Sequence, residues 1–152
     1  AQDQSPTEEA LLHAISVLEG TGRTFDILLV LEPTSPLRSI NTIKAAIEMS
    51  VDVRFDSVLA VFSSKQNIGE IIEDRFIPLR PNAPRRRQER EPFYFEASTI
   101  YACKISYLLE SKTLVTPNWG AVLVDEREAL DINTVFDLEY AEFLIQKLRG
   151  RG

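Results

Sequence analysis

An α/β domain is the fold class this sequence predicts, on three observations. Helical and extended patterns alternate along the chain, Asp26 to Leu31 is a short continuous apolar run, and a second such run returns at Ser57 to Phe62 after a helical stretch. A continuous run rather than an alternating one suits a strand covered on both faces, as in a parallel sheet. Strand, helix and strand in succession then form a βαβ unit, whose crossover is expected to be right-handed. With 152 residues, 44% of them apolar and 26% charged, the chain has the material for one compact domain with its own core.

Each element has a local reason. Ser5-Pro6-Thr7-Glu8 reads as a helix start, with a hydroxyl cap, proline at the first helical position and a glutamate closing a capping box. Leu11, Ala14, Ile15 and Leu18 give that helix its apolar stripe, and Gly20 and Gly22 end it. His13 lies off the stripe and reads as a solvated helix residue. After the strand at 26–31, Ser39 caps a helix whose apolar face is Ile40, Ile43 and Ile47. Residues 63–95 break the pattern: Ile68 to Leu79 form a small hairpin turning near Glu73-Asp74, and "RPNAPRRRQEREP", with three prolines and five arginines, is a loop or arm. Order returns with a strand at Ser98 to Cys103, a short helix at Ile105 to Glu110 and a strand at Ala121 to Val124. A last helix runs from about Thr134 to Leu148, with Thr134 and Asp137 as a capping pair and Leu138, Ala141, Ile145 and Leu148 as its stripe.

Composition narrows the function classes. A net charge of −6 argues against general nucleic-acid binding, which draws affinity from excess basic charge. The apolar runs are far shorter than a bilayer requires, so no membrane association is expected. The single cysteine, Cys103, excludes an internal disulfide and a thiolate metal cluster, reads as a small core residue, and makes the cytoplasm the expected location.

Three places can carry chemistry. In "LLVLEPTSPLR", two prolines stiffen a corner at the carboxyl end of a strand, where open α/β sheets bind ligands, and the corner presents Glu32, Thr34, Ser35 and Arg38. It reads equally as an ordinary strand-to-helix connection. The run Arg85-Arg86-Arg87, with Arg90, can clamp phosphate or carboxylate through paired hydrogen bonds, or form a solvated loop. In "ALDINTVFDLEYAE", an extended Leu130 to Asn133 would turn Asp131 and Asn133 to one side, as a metal-nucleotide site needs; the same residues would also serve to end a strand and start a helix.

Together, "LLVLEPTSPLR", "RRRQ" followed by "ASTIYA", and "LDINTVFDLEYAEFLI" resemble in order and interval the CMP-sialic acid synthetases, or acylneuraminate cytidylyltransferases. That family's patterns are roughly L-L-Q-P-T-S-P-L-R, R-Q then N-G-A-I-Y, and D-I-D-T. The resemblance covers nearly the whole chain as a single partial cytidylyltransferase-like domain. It implies a nucleotide-diphospho-sugar transferase-like (Rossmann-like) mixed sheet flanked by helices, with residues 63–95 as a dimerisation arm. It also implies cytidylyl transfer from CTP to a sialic-type sugar acid, Mg2+ as cofactor, and a homodimer or higher homo-oligomer.

Carried across by position, Asp131 matches a metal carboxylate, Arg87 and Gln88 the R-Q motif, and Tyr101 the sugar-site tyrosine. Lys65 stands near the family's sugar-site lysine. Three matched positions depart: Glu32 replaces a glutamine, Ala97 an asparagine, and Asn133 the second metal aspartate. The family's glycine- and lysine-rich loop, of the type A-R-G-G-S-K-G-I, has no counterpart among Gly20, Gly22, Gly69, Gly120, Gly150 and Gly152. The resemblance therefore implies impaired or absent activity in this chain alone, with the phosphate-binding segment separately encoded or left outside it. The alternative is a non-catalytic sugar- or nucleotide-binding or assembly module derived from the family.

Overall fold

The computed structural model describes residues 7–150, so the Ser5-Pro6 cap lies outside the described residues. Within them, helix α1 (Thr7–Glu19) leads to strand β1 (Ile27–Val30), helix α2 (Ile40–Ser50) and strand β2 (Ser57–Ser64). A hairpin of β3 (Gly69–Ile72) and β4 (Arg75–Pro78) and a single 3-10 turn (Arg87–Glu89) precede the long strand β5 (Phe93–Lys104). Helix α3 (Ile105–Ser111), strand β6 (Trp119–Leu123) and helix α4 (Val135–Arg149) complete the order.

The main sheet has four strands in the order β1-β5-β2-β6, and β5 runs antiparallel to both its neighbours while β2 and β6 are parallel. The expected mixed α/β sheet is thus present, but the βαβ unit is not a pair of adjacent strands. β1 and β2 run the same way with β5 inserted between them, and β1, an edge strand among the described residues, is only half-buried along its length. β5 also begins five residues earlier than the strand expected at Ser98, because Phe93, Phe95 and Ala97 pair with Ser64, Phe62 and Ala60.

Two apolar clusters sit on opposite sides of the sheet. One gathers Val58, Ala60, Ala97, Ile100, Ala102 and Val122 beneath Ala46 of α2. The other joins Ile15 of α1 to Cys103, Ile105 and Leu108, with Leu11, Leu12 and Leu28 packed against it. Of the expected face of helix α2, Ile43 packs against the core, whereas Ile40 and Ile47 are exposed and the buried positions are the small residues Thr42, Ala46 and Ser50. Small side chains let the helix lie close to the sheet, and Gly120 of β6 belongs to the same contact, since a Cβ there would stand 2.8 Å from Met49 Sδ and 3.0 Å from Val58 Cγ2. In α1, Ala14 and Leu18 are exposed and Leu12 takes part in the buried stripe instead; His13 is exposed as expected. Of α4 only Ala141 is buried.

The hairpin turns where the sequence placed it. Glu73 and Asp74 adopt φ of 48° and 63°, a left-handed pair that joins two strands through a two-residue loop, and Leu79 N donates to Ile68 O at 2.8 Å beyond the last ladder pair. β3 and β4 pair only with each other, leaving Ile71, Ile72, Phe76 and Ile77 exposed.

Candidate functional site

The proline corner is built by Arg38. Its Nη2 donates to Glu32 O at 2.6 Å and its Nε to Thr99 O, so one guanidinium ties the corner to β5. Thr99 lies in a local irregularity of the β2–β5 ladder: Leu59 pairs with Tyr101 and the next residue, Ala60, with Ala97, which leaves Ser98 to Ile100 without β2 partners. Thr99 is fully buried and its hydroxyl donates to Glu128 O at 2.7 Å. Glu128 Oε1 in turn accepts from Ser39 N at 2.7 Å, while Ser39 Oγ accepts from Thr42 N as the expected cap of α2. Arg38, assigned to substrate from sequence, is therefore committed to backbone carbonyls. Thr99 and Glu128, which sequence reasoning passed over, hold the corner. The only local signal for Thr99 was a polar residue inside an apolar strand.

The corner also meets the "LDIN" segment. Ile132 N donates to Thr34 O at 2.9 Å, which brings the Thr34-Ser35 and Asp131-Asn133 stretches together. Residues 130–133 belong to no strand of the sheet, and Asp131 and Asn133 lie side by side: Asn133 Nδ2 donates to Asp131 Oδ2 at 2.9 Å. Asp131 Oδ1 and the Oγ of Ser35 are buried with no hydrogen-bond partner. Asp137 is occupied elsewhere. Its Oδ2 accepts from Thr134 N, Thr134 Oγ1 and Asn133 N at 2.8, 2.8 and 3.1 Å, closing the expected capping box. Those bonds, with that from the Thr134 side chain foremost, hold its carboxyl below the usual carboxylate range.

A magnesium ion is implied by the motif resemblance, and the donor set allows a test of it. Asp131 Oδ1 is a buried carboxylate oxygen without a partner, Asn133 turns its amide nitrogen rather than its oxygen toward Asp131, and no group of three acidic, histidine or cysteine side chains suited to a metal occurs among the described residues. One carboxylate fits a cation that arrives on nucleotide phosphates; it does not fit a cation held by protein ligands alone.

Tyr101 stands on the sheet face opposite Ala97. Its hydroxyl donates to Glu96 Oε1, and burial, with Glu96 and more weakly Glu32 adding to it, pushes its phenol up to about 12. Glu96, not singled out from sequence, is thus the partner of the matched tyrosine. Ala97 itself is buried in the cluster beneath α2 and does not face Tyr101.

Lys65, Arg87 and Gln88 do come together. With Ser63 and Ser64 they line a groove of about 330 Å³ at the carboxyl end of β2, and Lys65 Nζ donates to Gln88 O at 2.9 Å. The arginine-rich loop around them is held in place rather than freely solvated. Arg90 donates to Pro84 O at 2.6 Å and Arg85 O at 2.8 Å, and Arg80 lies 3.9 Å from the Phe93 ring centroid while donating to Glu91 O at 2.9 Å. Arg86 pairs with Glu89. A larger cavity, about 680 Å³, lies at the hairpin foot among Leu79, Pro81, Pro84, Pro92 and Phe93, and its two arginines, Arg80 and Arg90, are the ones spent on carbonyls. In the smaller groove Lys65 likewise donates to a carbonyl, and Arg87 is its cation without such a bond among the described residues.

The described residues form a mixed α/β sheet with helices on both sides and a proline corner at a strand end. The structure is similar to that of 4-diphosphocytidyl-2C-methyl-D-erythritol synthase from Anaerococcus prevotii, with a TM-score of 0.56 at 16% identity over 94% of this chain and 68% of that one, which establishes the shared fold. No family model matches the sequence.

Among curated proteins, the chain is 26% identical to the post-translational flagellin modification protein B of Campylobacter coli over 127 residues, covering 81% of this chain and 54% of that protein. It is 32% identical to the CMP-N,N'-diacetyllegionaminic acid synthase of Campylobacter jejuni over 79 residues, covering 52% of this chain and 34% of that protein. The chain spans about half the length of the first relative and a third of the second. The motif resemblance to the acylneuraminate cytidylyltransferases is thus matched by distant homology to a CMP-nonulosonic acid synthase. No helix among the described residues is long and apolar enough to cross a membrane.

Proposed function

We propose that this chain carries the sugar-acid-binding part of a CMP-nonulosonic acid synthase, a cytidylyltransferase that joins CMP from CTP to a sialic-type acid. The observation that carries the reading is the convergence of Lys65, Arg87 and Gln88 in one groove, in a chain distantly homologous to such a synthase. In the reaction, the anomeric hydroxyl of the sugar acid attacks the α-phosphorus of CTP; a new O–P bond forms, the bond to the bridging oxygen breaks, and pyrophosphate leaves as the hydroxyl loses its proton. Lys65 and Arg87 would bind and orient anionic groups of the substrates, and Gln88 would add an amide. Asp131 would hold a nucleotide-borne Mg2+, whose chemistry is to neutralise phosphate charge. Arg38, Thr99 and Glu128 would keep the corner bearing Glu32, Thr34 and Ser35 in register.

The hairpin and its loop serve in this reading as a dimerisation arm, supported by the exposed Ile71, Ile72, Phe76 and Ile77 on a two-stranded ribbon paired with nothing else. Stand-alone turnover is expected to be low, because no glycine- and lysine-rich phosphate cradle occurs in these residues. A second reading, a non-catalytic binding or assembly module, is favoured by the Asn133–Asp131 hydrogen bond, which satisfies with an amide what a metal would otherwise neutralise.

Calorimetry with a nonulosonic acid, and separately with CTP and Mg2+, tests the proposal. Sugar-acid binding weakened at least tenfold in Arg87→Ala supports it. No heat with the acid up to millimolar concentration, from a chain shown to be folded, refutes it. Sugar-acid binding without CTP binding assigns the nucleotide to residues outside this chain.

A further inference from the structure

Asn133 sits where a second acidic residue would make a two-carboxylate cation site, and its side chain is not idle. Nδ2 donates to Asp131 Oδ2 at 2.9 Å, so the amide supplies the positive end of a dipole to one carboxylate oxygen and leaves only Oδ1 without a partner. The carboxylates flanking Asp131 in sequence are engaged: Glu128 accepts from Ser39 N, and Asp137 accepts three hydrogen bonds at the start of α4. A divalent cation at Asp131 would have to displace the amide or make do with a single buried oxygen.

We infer that Asn133 sets the cation affinity of this site: its amide takes the place of the metal against Asp131, so the nucleotide-free protein holds no divalent cation here, whereas an aspartate at 133 creates such a site. Two carboxylates at this spacing repel one another unless a cation lies between them, and that repulsion is what the amide removes. The substitution leaves the helix cap untouched, because Asn133 contributes to it through its backbone N–H.

The inference concerns the metal expected under the proposed function, but its test contains no nucleotide or sugar, so it stands or fails separately from that reading. Free Mn2+ is followed by electron paramagnetic resonance during titration into the full chain. Wild type is expected to leave Mn2+ free up to millimolar concentration. Asn133→Asp is expected to bind one equivalent at least tenfold more tightly than wild type, and the double variant Asp131→Asn/Asn133→Asp to lose it. Melting provides the second measurement: Mn2+ should raise the melting temperature of Asn133→Asp and leave that of wild type unchanged. If the substituted chain folds only with Mn2+ present, that is the same gain. Submillimolar Mn2+ binding by wild type that disappears in Asp131→Asn overturns the inference, as does a folded Asn133→Asp chain that binds no more tightly than wild type.

Discussion

Replacing Arg38 by methionine separates a structural arginine from a ligand-binding one. The guanidinium donates to Glu32 O and Thr99 O, and Thr99 is fully buried, so its carbonyl has no water to turn to when the arginine is gone. A hydrogen bond to a charged group contributes about 1.5–3 kcal/mol net. Glu32 is only half-buried, so water recovers part of its share. The loss for Arg38→Met is then about 3 kcal/mol. For a domain of this size a kilocalorie moves the melting temperature by about 2–4 °C, which predicts a drop of about 6–12 °C by circular dichroism. Amide exchange should quicken at Ser35, whose N–H donates to Glu32 O within the same corner. A variant that melts within 2 °C of the parent but loses ligand binding would refute the structural assignment.

Gly120→Ala should destabilise by about 1–3 kcal/mol in urea unfolding, since the new methyl meets Met49 Sδ and Val58 Cγ2 at 2.8 and 3.0 Å, and Met49→Ala in the same chain should recover part of the loss. Tyr101, pushed up to about 12 by burial and Glu96, should ionise above the usual tyrosine range in an ultraviolet titration, and Glu96→Gln should bring it down. An unfolded tyrosine ionises near 10, so this raised value gives stability that is complete below about pH 10 and is lost as pH climbs toward 12; a stability curve flat across that window would contradict it.

What was legible in the sequence was mostly local. The Ser39 cap, the Thr134–Asp137 capping box and the Glu73-Asp74 turn each depend on atoms within a few residues, and each is present. The α/β class followed from patterns of the same range. Strand order did not, because inserting β5 between β1 and β2 is decided by pairings some seventy positions apart, such as Leu29 with Ala102. The inward face of α2 was read only in part, at Ile43, for a different reason: close packing over Gly120 selects small residues, whereas a hydrophobic stripe also points to Ile40 and Ile47, which are exposed. In the candidate site, motif residues were found, but which donor meets which acceptor was hidden. Arg38 and Arg90 spend their charge on carbonyls, and an arginine bound to a carbonyl looks in sequence like one awaiting a phosphate.

The sign of the charge at residue 32 bears most directly on what the corner admits. Where the resembling family carries a glutamine, this chain has Glu32, near enough to Tyr101 to contribute to its raised pKa, with Glu96 bonded to the same hydroxyl. A sugar acid brought against this face places its carboxylate near two others. At a separation of about 8 Å and an effective dielectric near 20, one such pair repels by about 2 kcal/mol before salt screening. Screening at physiological ionic strength acts over about the same distance and removes part of it, so Glu32→Gln should tighten binding of an anionic nonulosonic acid by about tenfold, or 1.4 kcal/mol. The methyl ester of the same acid lacks the charge and should gain nothing. Calorimetry with the two ligands therefore distinguishes electrostatic relief from a better fit of the amide. Equal gains for acid and ester would mean that glutamine makes a new hydrogen bond, and no gain for either would place the sugar acid away from the corner.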